Sequence, residues 1–124
     1  MLPISSYKEL KVWKKSVDLS VLIYKVTESF PKSETFGLTS QIRRCAVSIP
    51  SNIAEGQKRG SISEYIQFLR IAYGSGAELE TQLLIAWKIG FLSSSDYDDC
   101  LHLLDEIMRM LNKLISVLKN GSKT

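Results

Sequence analysis

The sequence predicts an all-α protein, an antiparallel four-helix bundle with up-down-up-down connections. Four stretches repeat apolar residues at helical spacing, short segments with proline or glycine separate them, and no segment alternates apolar and polar residues as a strand would. The 124 residues, 44% hydrophobic and 23% charged, have the composition of one globular domain. We therefore predict a single domain over residues 1–124, in which short connections make neighbouring helices antiparallel.

Capping patterns and helix breakers give the boundaries of the helices. A serine followed three residues later by an acid, the pattern of a capping box, occurs at Ser6, Ser61 and Ser93. Pro31 ends the first helix and Gly60 ends the second. The predicted helices 1 to 4 span about residues 6–29, 38–58, 61–90 and 93–120.

Predicted helix 2 contains an internal proline. Pro50 removes one backbone donor and crowds the carbonyl of Ala46, so the helix should be kinked at Pro50, and the Ala46 carbonyl should not accept a bond from residue 50. The apolar repeat continues through the proline, at Leu38, Ile42, Cys45, Ile49 and Ile53. We therefore predict one bent helix rather than two helices.

Helix 1 carries two apolar stripes on nearly opposite sides of a helical wheel. One stripe consists of Leu10, Trp13, Val17, Val21 and Tyr24. The other consists of Val12, Leu19, Leu22, Ile23 and Val26. A single bundle buries only one stripe, and a second stripe left in water is the kind of apolar patch that marks an interface. We predict a homo-oligomer and assign its interface to the second stripe; the alternatives are the first stripe, or one wide face with scattered exposed aliphatics.

The sequence contains no catalytic or metal-binding pattern. His102 is the only histidine and falls on the polar face of helix 4 with no glutamate three residues before it, so neither a base nor a bundle-core metal site is predicted. Cys45 and Cys100 lie on apolar faces without ligand spacing, so we expect buried thiols, with a disulfide or a reactive role as the alternative. We predict no metal, no cofactor and no enzymatic activity.

One acid interrupts an apolar face. The wheel of helix 3 places Glu80 among Tyr73, Leu84 and Trp87. A buried carboxylate requires a charged partner or several hydrogen-bond donors. Helix 2 offers such donors in Gln41, Arg43, Arg44 and Asn52. We predict a buried polar network of Glu80 with these residues; a catalytic carboxylate is the alternative.

Basic residues collect at one end of the predicted bundle. The formal net charge is only +3, but the starts of helices 1 and 3 and the ends of helices 2 and 4 meet at an end that holds many lysines and few acids. A basic end can bind phosphate backbones without reading bases. We predict phosphate contacts from Lys8, Lys11, Lys15, Lys58 and Arg59, with a charged face kept for solubility as the alternative.

Several segments together resemble one known family. They are residues 7–15 (YKELKVWKK), 30–32 (FPK), 37–44 (GLTSQIRR), 47–56 (VSIPSNIAEG) and 77–83 (AELETQL). These segments resemble the four-helix bundle proteins encoded by intervening sequences of bacterial 23S rRNA genes, and the resemblance extends over nearly the whole chain. The segment around Pro50 is the most specific, whereas helix 4 matches only in pattern.

The resemblance implies an antiparallel four-helix bundle that assembles as a ring-like homopentamer. It also implies distant similarity to the accessory variability proteins of diversity-generating retroelements, which bind nucleic acid and a reverse transcriptase through basic surfaces. The resemblance implies no established activity for the intervening-sequence proteins themselves.

From these observations we expect a non-enzymatic homo-oligomer that binds RNA or other nucleic acid through phosphates at its basic end. The alternative is a scaffold that docks a protein partner such as a polymerase or reverse transcriptase. The N-terminus lacks the charge and apolar pattern of a signal peptide, and the apolar runs are too short to cross a bilayer. We therefore expect a cytoplasmic protein without a membrane partner.

Overall fold

The computed structural model describes residues 6–122, and this part of the chain contains helices and no strands. The four long helices are α1 (Lys11–Thr27), α2 (Leu38–Lys58), α3 (Ile62–Lys88) and α4 (Ser94–Ser122). Two short 3₁₀ helices, Tyr7–Glu9 and Lys32–Glu34, precede α1 and α2. The prediction of an all-α chain with four helices is confirmed.

The packing order is that of a four-helix bundle. Helix α1 contacts α2 and α4, and α3 contacts the same two helices, whereas the diagonal pairs make no close backbone contacts within the described residues. The helices enclose an apolar core. Its completely buried side chains include Leu19, Ile23, Ile42, Ile49, Ile53, Leu69, Leu79, Leu83, Ile107 and Leu111.

The start of helix 1 differs from the prediction. Ser6 accepts a hydrogen bond from the Lys8 amide at 3.2 Å and thereby caps only the short 3₁₀ helix. The backbone is extended at Leu10, with φ of −74° and ψ of 125°, and α1 begins after it. The Leu10 side chain, at this break, is 8% exposed and belongs to the core.

The other serine caps form as predicted. The Ser61 hydroxyl accepts a hydrogen bond from the Glu64 amide at 3.2 Å, and the Ser93 hydroxyl accepts one from the Asp96 amide at 3.1 Å. Gly90 takes a φ of 86° between α3 and α4, a left-handed conformation that favours glycine. The caps thus set the start of α3 and the turn into α4 close to the predicted positions.

Helix α2 runs without interruption through Pro50, so the prediction of one continuous helix is confirmed. Proline has no amide proton, so the carbonyl of Ala46 lacks the usual partner four residues ahead. The Ser20 hydroxyl of α1 lies 3.2 Å from that carbonyl and 3.0 Å from the Ser16 carbonyl, and it shares its one proton between these two acceptors. A side chain of the neighbouring helix therefore supplies the donor that the proline removes, and the bond fixes the register of α1 on α2.

Glycine allows α2 and α3 to approach closely. A Cβ atom added at Gly56 would lie 2.6 Å from the Cβ of Phe68 and 3.3 Å from the ring of Tyr65. Gly74, by contrast, lies in α3 with open space around the position of its missing Cβ. Close approach therefore requires glycine at residue 56 and does not require it at residue 74.

Replacing Ser20 tests its bond to Ala46. Ser20→Ala should lower the free energy of unfolding by about 1 kcal/mol, because the Ala46 carbonyl is left unpaired. In a Pro50→Ala background the restored amide should supply the partner, so the same serine change should have a smaller effect. Urea unfolding of the four proteins in this double-mutant cycle measures the coupling. Equal losses in both backgrounds would contradict the compensation.

The two glycines form a matched pair for a packing test. Gly56→Ala should destabilise the bundle by about 1–3 kcal/mol, because the methyl group of the new alanine would overlap the Cβ atom of Phe68. Gly74→Ala should stabilise it by roughly 0.5–1 kcal/mol, because alanine is the better helix former and meets no obstacle. Thermal and urea unfolding would show opposite shifts; shifts of one sign for both variants would contradict this assignment.

Candidate functional site

The five residues predicted to contact phosphates differ in their surroundings. Lys8, Lys11 and Lys58 are exposed at the basic end of the bundle. Lys15 instead pairs with Glu106 of α4 at 3.1 Å, and Arg59 pairs with Glu55 at 2.7 Å. The first three side chains are thus open to a ligand, while the other two already have carboxylate partners. Arg59 also lies 3.8 Å from Glu64.

A cleft between α1 and α4 contains two of the predicted lysines. It has a volume of about 430 Å³ and is lined by Lys11, Lys15, His102, Asp105, Glu106, Arg109 and Met110. Arg109 binds Asp105 at 2.6 Å, so charges of both signs alternate across the cleft. His102 is exposed here, as its place on the polar face of helix 4 predicted. The carboxylates make this cleft a poor phosphate site.

A second cleft, between α3 and α4 at the same end, has the opposite character. Its volume is about 460 Å³, and the described residues that line it are Arg70, Tyr73, Gly74, Asn112, Ile115, Ser116, Lys119 and Asn120. This lining includes cations, amides and a hydroxyl but no acid. Arg70 is exposed and forms no ion pair within residues 6–122. We identify this cleft as the candidate phosphate-binding surface. Lys8, Lys11 and Lys58 lie outside its lining, at the start of the chain's first helices and the end of α2, at the same end of the bundle.

The predicted phosphate contacts did not include Arg70, Asn112 or Lys119, which line this cleft. Lys119 lies near the end of α4, and Arg70 lies in the first half of α3. Antiparallel packing of α3 on α4 brings these two segments together. Placing the first half of α3 beside the last part of α4, as antiparallel packing requires, would have predicted that Arg70 and Lys119 lie close together.

The prediction of a buried network around Glu80 is wrong. Glu80 is exposed, and its neighbour Leu79 is completely buried in its place. The buried face of α3 consists of Tyr65, Leu69, Ala72, Gly76, Leu79, Gln82, Leu83 and Ala86. The wheel was centred on large side chains that lie on the flank of α3, of which Tyr73 is 39% and Trp87 37% exposed. The small residues of α3 mark the packed face instead.

The helix 2 donors also have other partners. The Arg43 guanidinium donates to the Thr27 hydroxyl at 2.9 Å and to the Tyr24 carbonyl at 3.4 Å, both in α1. The Asn52 amide donates to the carbonyl and the hydroxyl of Ser48 in its own helix. Gln41 and Arg44 are exposed.

A smaller polar contact does join α2 to α3. The hydroxyls of Ser48 and Ser75 lie 2.8 Å apart, and Asn52 holds Ser48 from the other side at 2.9 Å. These short side chains fit a close interface, whereas a glutamate and two arginines would have held the helices apart. The network is therefore structural and offers no catalytic carboxylate.

Both cysteines are free and buried, as expected. Burial raises the pKa of the Cys100 thiol to about 12, and the nearby Asp96 and Asp99 carboxylates add to this. Burial, with the Glu78 carboxylate as a smaller cause, also raises the pKa of Cys45. The thiolate is the reactive form, so neither cysteine is an activated nucleophile. Within residues 6–122 no cluster of three or more histidines, cysteines or acids could hold a metal ion.

The assignment of the subunit interface to the second stripe of helix 1 is wrong for four of its five residues. Val12, Leu19, Ile23 and Val26 are buried inside the single chain, at 4%, 0%, 0% and 7% exposure, and so cannot contact another copy. Leu22 is half-buried and packs against the core. The wheel gave two equivalent stripes, and only the packing of α1 on α2 and α4 decides between them.

The first stripe contains the exposed apolar surface of α1. Val21 is 51% exposed and Tyr24 is 46% exposed, and Trp13 and Val17 are half-buried beside them. We call Trp13, Val17, Val21 and Tyr24 the α1 surface. These four residues belong to the stripe that was the alternative interface predicted from the sequence; its fifth residue, Leu10, is buried at 8% exposure.

Comparison with known proteins places this architecture in a family. The model of the 23S rRNA-intervening sequence protein family matches residues 8–113. The chain belongs to this family. A search of curated proteins found no match. None of the helices in the part of the chain that the structure describes is long and apolar enough to cross a membrane.

A solved structure supports the fold of this intervening sequence protein. It is the crystal structure of a protein of unknown function from the S23 ribosomal protein family of Bacteroides thetaiotaomicron. The two chains are 25% identical, with a TM-score of 0.79 over 85% of this chain and 95% of the other. The likeness covers the helical bundle and assigns no activity.

The α1 surface of this intervening sequence protein gives a test of self-association. Val21→Glu should dissociate an oligomer held by this surface, because it places a charge in an apolar contact, and helix content should be retained because the residue is half exposed. Val12→Glu should instead unfold the chain. Light scattering would report mass relative to the 14.0 kDa chain, and circular dichroism would report helix.

Lys25→Gln, which changes the charge of α1 by the same amount at an exposed position, is the control and should leave the mass unchanged. A wild-type monomer at micromolar concentration, or a Val21→Glu protein with the wild-type mass, would contradict this use of the α1 surface.

Proposed function

We propose that this intervening sequence protein is a non-enzymatic homo-oligomer that binds RNA or another nucleic acid through phosphate contacts at its basic end. The cleft between α3 and α4 carries the proposal, because Arg70 and Lys119 line it together with amide and hydroxyl donors, and none of the described residues that line it is an acid. Exposed Lys8, Lys11 and Lys58 extend the same end. Lys15 and Arg59, which have carboxylate partners, take a smaller part.

The chemistry of these side chains favours phosphates over bases. Lysine and arginine neutralise backbone phosphates and release counterions, which gives affinity that falls steeply with salt and is nearly independent of sequence. The cations project from different helices, and within residues 6–122 no single helix presents a row of them to one groove of a nucleic acid. Such contacts position a nucleic acid without specifying its sequence.

Self-association would strengthen weak phosphate contacts. The family resemblance implies a ring-like homopentamer. Such an assembly would present several basic ends to one nucleic-acid strand. Linked sites raise the overall affinity without new kinds of contact, provided that the strand can reach them together. The α1 surface supports this part of the proposal, because Val21 and Tyr24 are apolar side chains left open along the side of the bundle.

A protein-docking scaffold is the second candidate, and exposed isoleucines at the end of α3 favour it. Ile85 of α3 and Ile89, directly after its last residue, are 45% and 55% exposed. Large exposed apolar patches mark protein contacts. A partner such as a polymerase or reverse transcriptase would bury these side chains, and its binding would depend only weakly on salt.

Removing Arg70 tests the nucleic-acid proposal. In fluorescence anisotropy with a labelled RNA, affinity should fall with salt, and Arg70→Gln should weaken binding and reduce the slope of log affinity against log salt by about 1. Lys32→Gln makes the same change of charge in the short 3₁₀ helix before α2, at the other end of the bundle, and should behave as wild type. Binding that is insensitive to salt, or equal losses in both variants, would contradict phosphate binding at the basic end.

A further inference from the structure

The cleft between α3 and α4 presents an aromatic ring beside its cations. Tyr73 lines this cleft and is 39% exposed. It lies three residues after Arg70 in α3, so the ring and the guanidinium leave the same face of the helix. The volume of about 460 Å³ lies in the range of small-ligand sites. An exposed aromatic face beside phosphate-binding cations is the arrangement on which nucleobases stack.

Gly74 keeps this cleft open. It lies inside α3, where glycine is a poorer helix former than every residue except proline. Helix packing does not require a glycine here, because a Cβ atom added to it would lie in open space. Gly74 lines the cleft beside Tyr73, and a longer side chain at this position would occupy part of the volume. The missing side chain therefore leaves room for a flat ring.

The α4 side of the cleft can bind the edge of a base. Asn112, Ser116 and Asn120 line it with exposed amide and hydroxyl groups. Each of these side chains can both donate and accept hydrogen bonds, so together they can pair with the differing edges of several bases. None of the described residues in the lining is an acid that would repel the phosphate attached to such a base.

Arg70 also borders a second groove, which runs along the first half of α3. This groove has a volume of about 620 Å³ and is lined by Ile62, Ser63, Ile66, Gln67, Arg70 and Ile71. Ile71 is 48% exposed, so the groove offers apolar surface to a ligand. Arg70 itself is exposed and forms no ion pair within residues 6–122. A free guanidinium thus stands between two clefts that can each hold a flat apolar group.

This order of groups corresponds to one step of a nucleic-acid strand, in which a phosphate joins two bases. A single strand can place its bases in clefts on either side of a bound phosphate. A duplex cannot do so, because its bases are paired and stacked inside the helix, and turning one out costs free energy. The two clefts therefore favour a single strand over a duplex.

We infer that the basic end binds single-stranded nucleic acid, with one base stacked on Tyr73 and the adjoining phosphate on Arg70. The next base lies against the isoleucines of the second groove. The inference rests on the function proposed above and specifies its ligand as a single strand. Stacking tolerates any base, so the contact adds affinity for a strand without reading its sequence.

Fluorescence anisotropy with a short labelled RNA, used alone or annealed to its complement, tests the inference. At one salt concentration the single strand should bind the full chain about ten-fold more tightly than the duplex, or better, because only the single strand can stack a base on Tyr73. Equal affinities, or tighter binding of the duplex, would overturn the inference.

Competition with AMP separates a strand from a free nucleotide, which has the same base and phosphate. AMP should displace the labelled strand at least about ten-fold less effectively than the unlabelled strand does, because AMP has a base for only one of the two clefts. Competition by AMP that equals competition by the strand would overturn the assignment to a single strand.

Gly74→Leu fills the cleft and leaves every cation in place. It should remove most of the preference for the single strand and bring the two affinities together. The variant should be at least as stable as wild type, because leucine is the better helix former and the position is open. Ala77→Leu adds the same side chain to α3 at an exposed position outside the lining, and it should keep the preference. Equal preferences in the two leucine variants would contradict a base in this cleft.

Tyr73 provides a second test that does not depend on filling the cleft. Tyr73→Ala should weaken binding of the single strand roughly ten-fold or more, because the stacking surface is lost. Tyr73→Phe keeps the ring and should bind as wild type does. Binding of the single strand that is unchanged in Tyr73→Ala, or is lost to the same extent in Tyr73→Phe, would show that the ring is not a stacking surface.

The outcomes distinguish this inference from the function on which it rests. Binding of neither form with a dependence on salt, or wild-type binding by Arg70→Gln, would contradict phosphate binding at the basic end and the inference with it. Salt-dependent binding of both forms through Arg70, with equal affinities and no effect of Gly74→Leu, would overturn only the assignment to a single strand.

Discussion

The polar seam between α1 and α2 is the constraint on which the surfaces of this molecule depend. At its centre Ser20 donates to the carbonyl that Pro50 leaves without an amide, and at one end Arg43 donates to Thr27. These bonds have direction, unlike apolar contacts, so they fix the rotation of α1 about its own axis. That rotation buries Leu19 and leaves Val21 in water. The core, the α1 surface and the fixed arginine at the start of α2 all follow from it.

Whether a cation of the basic end can bind phosphate depends on the side chains around it, and not on the number of cations at that end. Exposed ion pairs add little stability, so the pair of Lys15 with Glu106 matters chiefly because it removes a cation from the phosphate-binding surface. Arg70 remains available because the facing part of α4 presents amides and a hydroxyl instead of acids. A net charge of +3 describes neither end of the bundle, since the mixed cleft and the acid-free cleft lie at the same end.

The fold was predictable from the sequence because caps, breakers and apolar periodicity are local signals, and each acts within one helix. Serine caps such as Ser61 and the continuity of α2 through Pro50 could be predicted for this reason. The candidate sites could not, because they depend on how helices are rotated and paired. A helical wheel centred on the large side chains of α3 placed Glu80 on the buried face of that helix. In the structure Gly76 and other small residues lie on this face instead. Arg43 likewise bonds to α1, which no pattern within α2 indicates.

Tyr24 connects the α1 surface to helix α2. Its ring belongs to the α1 surface, and its ring and carbonyl hold the Arg43 guanidinium. A second copy seated on the α1 surface would therefore cover the ring on which the arginine stacks and alter the solvation of the arginine. Self-association through Tyr24 and any interaction made by Arg43 would then have a coupling free energy, and the effect must be reciprocal.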